Sequence, residues 1–397
     1  MTPDQAVEPG QGDVGHVPAL VRCVGDPDRF VEEIWSRYVH LHPGADGASL
    51  LDLDDVDELL AGAALRAPAV RLVEGGDPVA PERYLRSARV GSRTINDLID
   101  VGRVHALFDD GATIVLQGLH RFWPPLASFC RELEQALTHP VQANAYLTPP
   151  VASGLRVHAD THDVFALQTH GTKHWVTYPK DADLEALPPP RLDTHLQPGD
   201  CLYVPRGAPH AARTIDSASL HITLGVRALT WRDALRRATE QILAQDDYDG
   251  SLPPGYAHQP GDLAARLVPY LKELASELAE LDASGVATAT ADAFVEGRQP
   301  ALTGQLRELS SLGDLDDGTE LVRRTGTMAT LVDHGARVEL RLGDRRLDMP
   351  GEVRPALEWL LARDSCAPAD LSPFLDEGGR VVLAKRLVRE GLLHRRG

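Results

Sequence analysis

The stretch VQANAYLTPPVASGLRVHADTHDVFALQTHGTKHWVTYP, residues 141–179, decides the fold. Short runs rich in β-branched and aromatic residues (VQANAYL, DVFALQ, HWVTYP) alternate with turns built on Pro, Gly and Asp (TPP, HGTK). The same pattern continues through PPP, QPGD, CLYVP and LHITLGV as far as Val226. Many short strands with no helix of useful length between them predict an antiparallel barrel or jelly roll and argue against a Rossmann-type parallel sheet.

On either side the period changes from two to three or four. Upstream, Phe30, Ile34, Trp35 and Tyr38, then Leu50 to Leu65, predict a mainly helical lead-in over Pro27–Leu137, interrupted by one strand, ATIVLQGL (residues 112–119). Downstream, helical spacing returns from Trp231 to Leu309, with a long amphipathic run over Leu263–Gly285 whose apolar face needs a partner surface. The end of the chain reads as a hairpin around Gly343-Asp344, a helix in EVRPALEWLLARD, and a last helix stopped by Gly391.

Composition narrows the function. The chain has 397 residues, 43% of them hydrophobic, which allows two or three domains with real cores and excludes a disordered or fibrous protein. No run approaches the roughly 18 apolar residues of a membrane span, and the first fifteen residues lack the basic start and apolar stretch of a secretory signal, so a soluble, cytoplasmic protein is expected. Four scattered cysteines, Cys23, Cys130, Cys201 and Cys366, form no CxxC pair and are expected to be buried small hydrophobes. A net charge of -18 disfavours a nucleic-acid backbone as main partner and favours a basic protein or peptide.

Histidines crowd the β-rich region, and among them stands His158-Ala159-Asp160. An HxD pair alone is weak, since 16 histidines and 58 acids in 397 residues yield about two by chance. In an extended segment, however, residues i and i+2 share a face, so an imidazole and a carboxylate at this spacing can reach one ion. His210, approached through the rigid YVPRGAP segment, is the best third donor. Two histidines and one carboxylate on one face are the ligand set of non-haem Fe(II) oxygenases; a catalytic zinc is the nearest rival.

The segments NAYLTPPVASGLRVHADTHDVFALQTHGTKHW, QPGDCLYVPRGAPHAA and SLHITLGV together resemble the JmjC-type cupins of the ribosomal oxygenase group, Fe(II)- and 2-oxoglutarate-dependent protein hydroxylases. The resemblance covers nearly the whole chain from about Asp28. It implies an α+β architecture: a double-stranded β-helix (cupin) barrel with a helical lead-in, a helical dimerisation region and a C-terminal winged helix. The expected boundaries are a flexible terminus over 1–25, a catalytic domain over 26–228, a dimerisation domain over 229–310 and a winged helix over 311–397. Residue by residue, it implies His158, Asp160 and His210 as iron ligands, Lys173 as partner of the distal carboxylate of 2-oxoglutarate, and Asn144 and Thr223 as further co-substrate contacts.

Tyr146, Gln168 and Trp175 are candidate cavity residues. Ala159 stands where many members carry a bulky aromatic, and Arg156 where a smaller residue is usual; both are expected at the pocket mouth, where they bear on the choice of substrate. The resemblance points to a ribosomal-protein side chain, Arg or His, and to a homodimer. Two alternatives remain at this stage: the same chemistry on a small peptide or secondary metabolite, or a non-enzymatic scaffold with a DNA-binding winged helix. Against the latter, residues 321–397 carry 14 basic and 11 acidic side chains, too balanced for a phosphate footprint, although Arg380, Lys385, Arg386 and Arg389 share the last helix.

Overall fold

Period-two alternation builds the barrel and divides its two faces. The structure, a computed structural model, describes residues 17–150, 156–245, 248–298 and 302–396. In chain order the first strands are β1 (His40–Pro43), β2 (Val70–Glu74), β3 (Asp77–Pro78), β4 (Leu85–Val90), β5 (Arg93–Ile99), β6 (Thr113–Leu116) and β7 (Val141–Thr148). They are followed by β8 (Asp163–His170), β9 (Lys173–Thr177), β10 (Leu192–Leu196), β11 (Asp200–Val204), β12 (His210–Thr214) and β13 (Ser219–Val226). An eight-stranded sheet runs β1-β11-β8-β13-β7-β6-β2-β3 and a three-stranded sheet β10-β9-β12, every pairing antiparallel. This is the expected double-sheet barrel.

On β13, Leu220, Ile222, Leu224 and Val226 point to the main core while His221 and Thr223 line a cavity; on β7, Val141, Ala143 and Ala145 oppose Asn144, Tyr146 and Thr148 in the same way. The apolar face is covered by helices α1 (Pro18–Val24) and α5 (Pro124–Leu137) and by Phe30, whose ring meets Tyr203 edge-on at 4.8 Å. A smaller core of Ala166, Trp175, Leu196, Leu202, Val204 and Ala208 joins residues of both sheets.

The lead-in carries predicted helices and, beyond the one expected strand, five that periodicity missed. The helix beginning at Pro27 (α2, Pro27–Arg29) widens into a π turn, Phe30–Ile34, and stops there, with Ser36 at φ 58°, so Trp35 and Tyr38 lie beyond it. Only Leu53–Gly62 of the Leu50–Leu65 run is helical (α3), started by an Asp52/Asp55 capping box. A further helix, α4, spans Val101–Asp109. The flexible terminus expected over 1–25 needs correction: residues 1–16 lie outside the described residues, but Pro18–Val24 is a helix that buries Ala19, Leu20, Cys23 and Val24. That is a helical stripe, opened by Pro at its first turn. Cys23, Cys130 and Cys201 are buried free thiols, and Cys366 is half-buried.

The turn between β8 and β9 sets where Lys173 enters the barrel. Gly171 sits at φ +61°, and a Cβ there would lie 2.0 Å from the Ala218 carbonyl oxygen. Gly171→Ala is therefore expected to lower stability by about 3 kcal/mol in urea unfolding; an unchanged midpoint would contradict this close approach.

One compact unit runs to Ala228 and takes in Leu302–Gly304 and Arg324–Thr327; the second holds the rest of the described residues. The second unit contains α6 (Trp231–Leu243), α7 (Pro260–Glu280), α8 (Ala283–Glu296), α9 (Gln305–Ser310), α10 (Arg354–Leu361) and α11 (Glu377–Glu390). The long run predicted over 263–285 is broken after Glu280, because Asp282 caps a new helix through the Ser284 and Gly285 amides. Residues Ala329–Asp333, Arg337–Leu342 and Arg345–Pro350 form a three-stranded meander (β15–β17) that follows β14 (Leu321–Arg323). Gly391 ends α11 in the left-handed region, as predicted.

On that last helix Arg380 makes a two-pronged pair with Asp317 at 2.5 Å, Arg386 pairs with Glu390 at 2.9 Å, and Lys385 donates to the Gly313 carbonyl at 3.1 Å. Among the described residues no helix is long and apolar enough to cross a membrane.

Candidate metal centre

The three predicted ligands are brought together by main-chain bonds. The His158 amide donates to the His210 carbonyl at 3.1 Å, and the His210 amide returns a bond to His158 at 2.8 Å. The Gly207 amide donates to the main-chain oxygen of Asp160 at 2.9 Å, and the Arg206 amide to the buried Asp163 carboxylate at 3.3 Å, fixing the Pro-framed approach to His210.

Both imidazoles are oriented by carbonyls two residues upstream: His158 Nδ1 lies 2.8 Å from Arg156 O and His210 Nδ1 lies 3.1 Å from Ala208 O. A carbonyl can only accept, so each Nδ1 carries a proton, and in the neutral ring Nε2 is then the nitrogen left to ligate. These Nε2 atoms lie 4.0 and 3.5 Å from the Asp160 carboxylate oxygens, and the three donor atoms lie within 4.8 Å of one another. Burial and the neighbouring His158 lower the His210 pKa, which favours the neutral, ligating ring. Two nitrogen lone pairs and one carboxylate, with solvent-accessible space on their cavity side, fit a divalent metal ion that keeps positions for other ligands.

Asn144, Lys173 and Thr223, named as co-substrate contacts, line the same cavity, together with Tyr146 and Trp175. Lys173 is 2% exposed, and its ammonium reaches Thr148 Oγ1 at 3.0 Å and His221 Nδ1 at 3.4 Å, with no carboxylate partner among the described residues. Burial drags its pKa from 10.5 down to about 7. A buried ammonium facing a cavity without a counter-charge fits a ligand that brings a carboxylate. Asn144 Oδ1 accepts from the Gly118 amide at 3.0 Å, which leaves its NH2 group as a donor. Among the described residues, Trp175 Nε1 and Arg71 Nε are buried without a hydrogen-bond partner.

One expectation changes. Gln168 is buried but does not line the cavity: its amide nitrogen donates to the His170 and Gly171 carbonyls and to Ser219 Oγ, pinning the turn before Lys173. Arg156 and Ala159 are exposed and flank the cavity-lining His158 and Asp160. Arg156 pairs with Asp77 at 2.9 Å, so charge draws its long side chain to the β2–β3 turn.

Sequence reasoning missed Arg71, Thr148, His162 and His221 as cavity residues. Alternation from Asn144 and Thr223 reaches Thr148 and His221; Arg71 needed β2 to be seen first. Register aligns Arg71, Val115, Tyr146 and His221 in one row across the sheet.

Residues 119–234 match the JmjC domain family, a stretch that holds β7 to β13 and all three candidate metal ligands. The chain is similar to ribosomal oxygenase 1 of Rattus norvegicus, 31% identical over 232 residues, which is 53% of this chain and 36% of that protein. It is also similar to the bifunctional lysine-specific demethylase and histidyl-hydroxylase NO66 of Drosophila simulans, 36% identical over 137 residues, 31% of this chain and 16% of that protein. The chain thus spans well under half the length of these curated relatives. Among solved structures, the ribosomal oxygenase YcfD of Escherichia coli with cobalt and succinic acid superposes with a TM-score of 0.57 at 18% identity, covering 93% of this chain and 98% of that one. A second structure of that protein, with cobalt and 2-oxoglutarate, gives 0.56 over the same coverage. At this identity the likeness establishes the fold.

Proposed function

We propose that the chain is an Fe(II)- and 2-oxoglutarate-dependent oxygenase that hydroxylates a side chain of a ribosomal protein. The observation that carries this is one cavity holding both a convergent His158/Asp160/His210 donor set and the counter-charge-free ammonium of Lys173. When bound, the ion and its keto-acid co-substrate supply the oxidative chemistry: O2 is consumed, 2-oxoglutarate becomes succinate and CO2, and one oxygen atom enters a C–H bond. His158, Asp160 and His210 would hold the ion. Lys173, with Asn144 and Thr223, would fix the co-substrate, and Tyr146 and Trp175 wall the cavity against water. No side chain is required as a general base.

Cavity charge favours imidazole over guanidinium as the target. Among the described residues that line the cavity, Asp160, a metal ligand in this reading, is the one acid, whereas Arg71 lines it as a cation and Lys173 is taken up by the co-substrate carboxylate. An entering guanidinium would meet like charge and no partner, while a neutral imidazole would not. The similarity to a histidyl-hydroxylase supports the same choice. The chain's charge of -18 suits a basic ribosomal partner in the cytoplasm. Exposed apolar residues on α7, among them Leu267, Val268 and Leu271, suit a homodimer contact. The internal pairing of Arg380 and Arg386 gives no reason to invoke nucleic acid.

Incubating the iron-loaded protein with 2-oxoglutarate and ribosomal proteins from a deletion strain is expected to produce succinate. It should also add the mass of one oxygen to one protein, at a histidine located by tandem mass spectrometry. Oxygen found on an arginine would overturn the imidazole assignment. Unchanged masses alongside succinate release would overturn the ribosomal target.

A further inference from the structure

His221 is 4% exposed, lies on the cavity wall, and is not among the metal-donor set. A register shift between Leu220 and His221 re-aims this part of β13. Its ring stacks on Tyr146 at 5.1 Å and 9°, and meets Trp175 edge-on at 5.5 Å and 86°. So clamped, its Nδ1 faces the Lys173 ammonium at 3.4 Å.

We propose that His221 is a positioning residue that aims the Lys173 ammonium at the distal carboxylate of the co-substrate. This rests on the co-substrate reading given above. An ammonium on a four-carbon stem has three N–H donors and many rotamers. Thr148 takes one donor and His221 a second, which leaves the third for an incoming acceptor.

The chemistry of the second acceptor matters. A carboxylate at position 221 would neutralise Lys173 and compete with the ligand, whereas a hydrocarbon would leave a buried N–H unpaired and the stem free to swing. A neutral imidazole holds the ammonium without satisfying its charge. Burial, and then the charge of Lys173 itself, keep His221 well below the ordinary histidine pKa, in that neutral form.

The test uses the full chain loaded with Co(II), titrated without turnover with 2-oxoglutarate and, separately, with pyruvate, a keto acid lacking the distal carboxylate. His221→Phe keeps the ring packing and removes the acceptor; His221→Asn returns an oxygen near the place of Nδ1. His221→Phe is expected to weaken 2-oxoglutarate about tenfold while leaving pyruvate and Co(II) affinity unchanged. His221→Asn is expected to stay within about threefold of the wild type for 2-oxoglutarate.

Wild-type affinity for 2-oxoglutarate in His221→Phe overturns the proposal. So does an equal loss of both keto acids, which would mark His221 as a packing residue only. Failure of the wild type itself to bind 2-oxoglutarate would instead overturn the co-substrate reading, and is told apart because it shows before any substitution.

Discussion

Asp160→Ala is expected to lower affinity for a divalent metal by more than about 100-fold, beyond what changes around a ligand usually cost, and to end succinate formation. The substitution is clean because, among the described residues, the carboxylate faces the two imidazoles. The turn is held by the Asp160 main-chain oxygen, which accepts from Gly207 and survives truncation to alanine. What remains is two imidazoles with ring centroids 4.5 Å apart, too few donors and no negative charge for a ferrous ion. Metal at about 100 times its dissociation constant should stabilise the wild type by about 2.7 kcal/mol and leave Asp160→Ala unmoved in the same melt. A metal-dependent melting shift that persists in the variant would remove Asp160 from the centre.

Lys173→Met is expected to weaken 2-oxoglutarate by about 100-fold, since it would delete the charge-assisted bond proposed to the distal carboxylate. It should also make the co-substrate-free protein more stable by about 1–2 kcal/mol at pH 7 or below, because a buried ammonium with no carboxylate partner among the described residues is replaced by an uncharged side chain of similar length. The sign follows from linkage. The folded-state pKa of Lys173 is held near 7 by burial, against 10.5 ordinarily, so between those values the unfolded chain carries more protons and this residue's contribution to stability rises with pH.

The advantage of Lys173→Met should therefore be largest below pH 7 and shrink toward pH 10. Binding needs the ammonium, so wild-type affinity for 2-oxoglutarate should fall as pH climbs above 7, with uptake of a proton on binding. Calorimetry in two buffers of different ionisation enthalpy reads that proton. Binding without proton uptake at pH 8 would show that Lys173 is already charged in the free protein.

The barrel was legible because its strands obey strict alternation between a core and a cavity. On β7 the same rule that hides Ala143 and Ala145 exposes Asn144 and Tyr146 to the cavity, and it extends without effort to Thr148. His158 and Asp160 were legible from their spacing, and His210 from its prolines. Strands β10 (LDTHL) and β12 (HAART) were not, because polar residues dominate them and tertiary pairing with β9 makes them strands.

Arg71 was hidden for a similar reason. Its strand is five residues long, ends at Gly75-Gly76, and pairs with β6 across the helix α4 and the β4–β5 hairpin, a contact no local pattern encodes. Gln168 shows the opposite error. Alternation placed it correctly on the inner face, yet its amide is consumed by the turn beside it. Spacing reports which way a side chain starts, and hydrogen bonding decides where it ends.

The reciprocal bonds between His158 and His210 have a consequence for how the rim behaves. These residues lie more than fifty positions apart and bracket β8, β9, β10 and β11, so an ion seated between them acts as a clasp across the widest loop of the barrel. Loading should slow amide exchange not only at the ligands but along both ends of that loop, and a partly folded chain, lacking the clasp's two halves in register, should ignore the ion altogether.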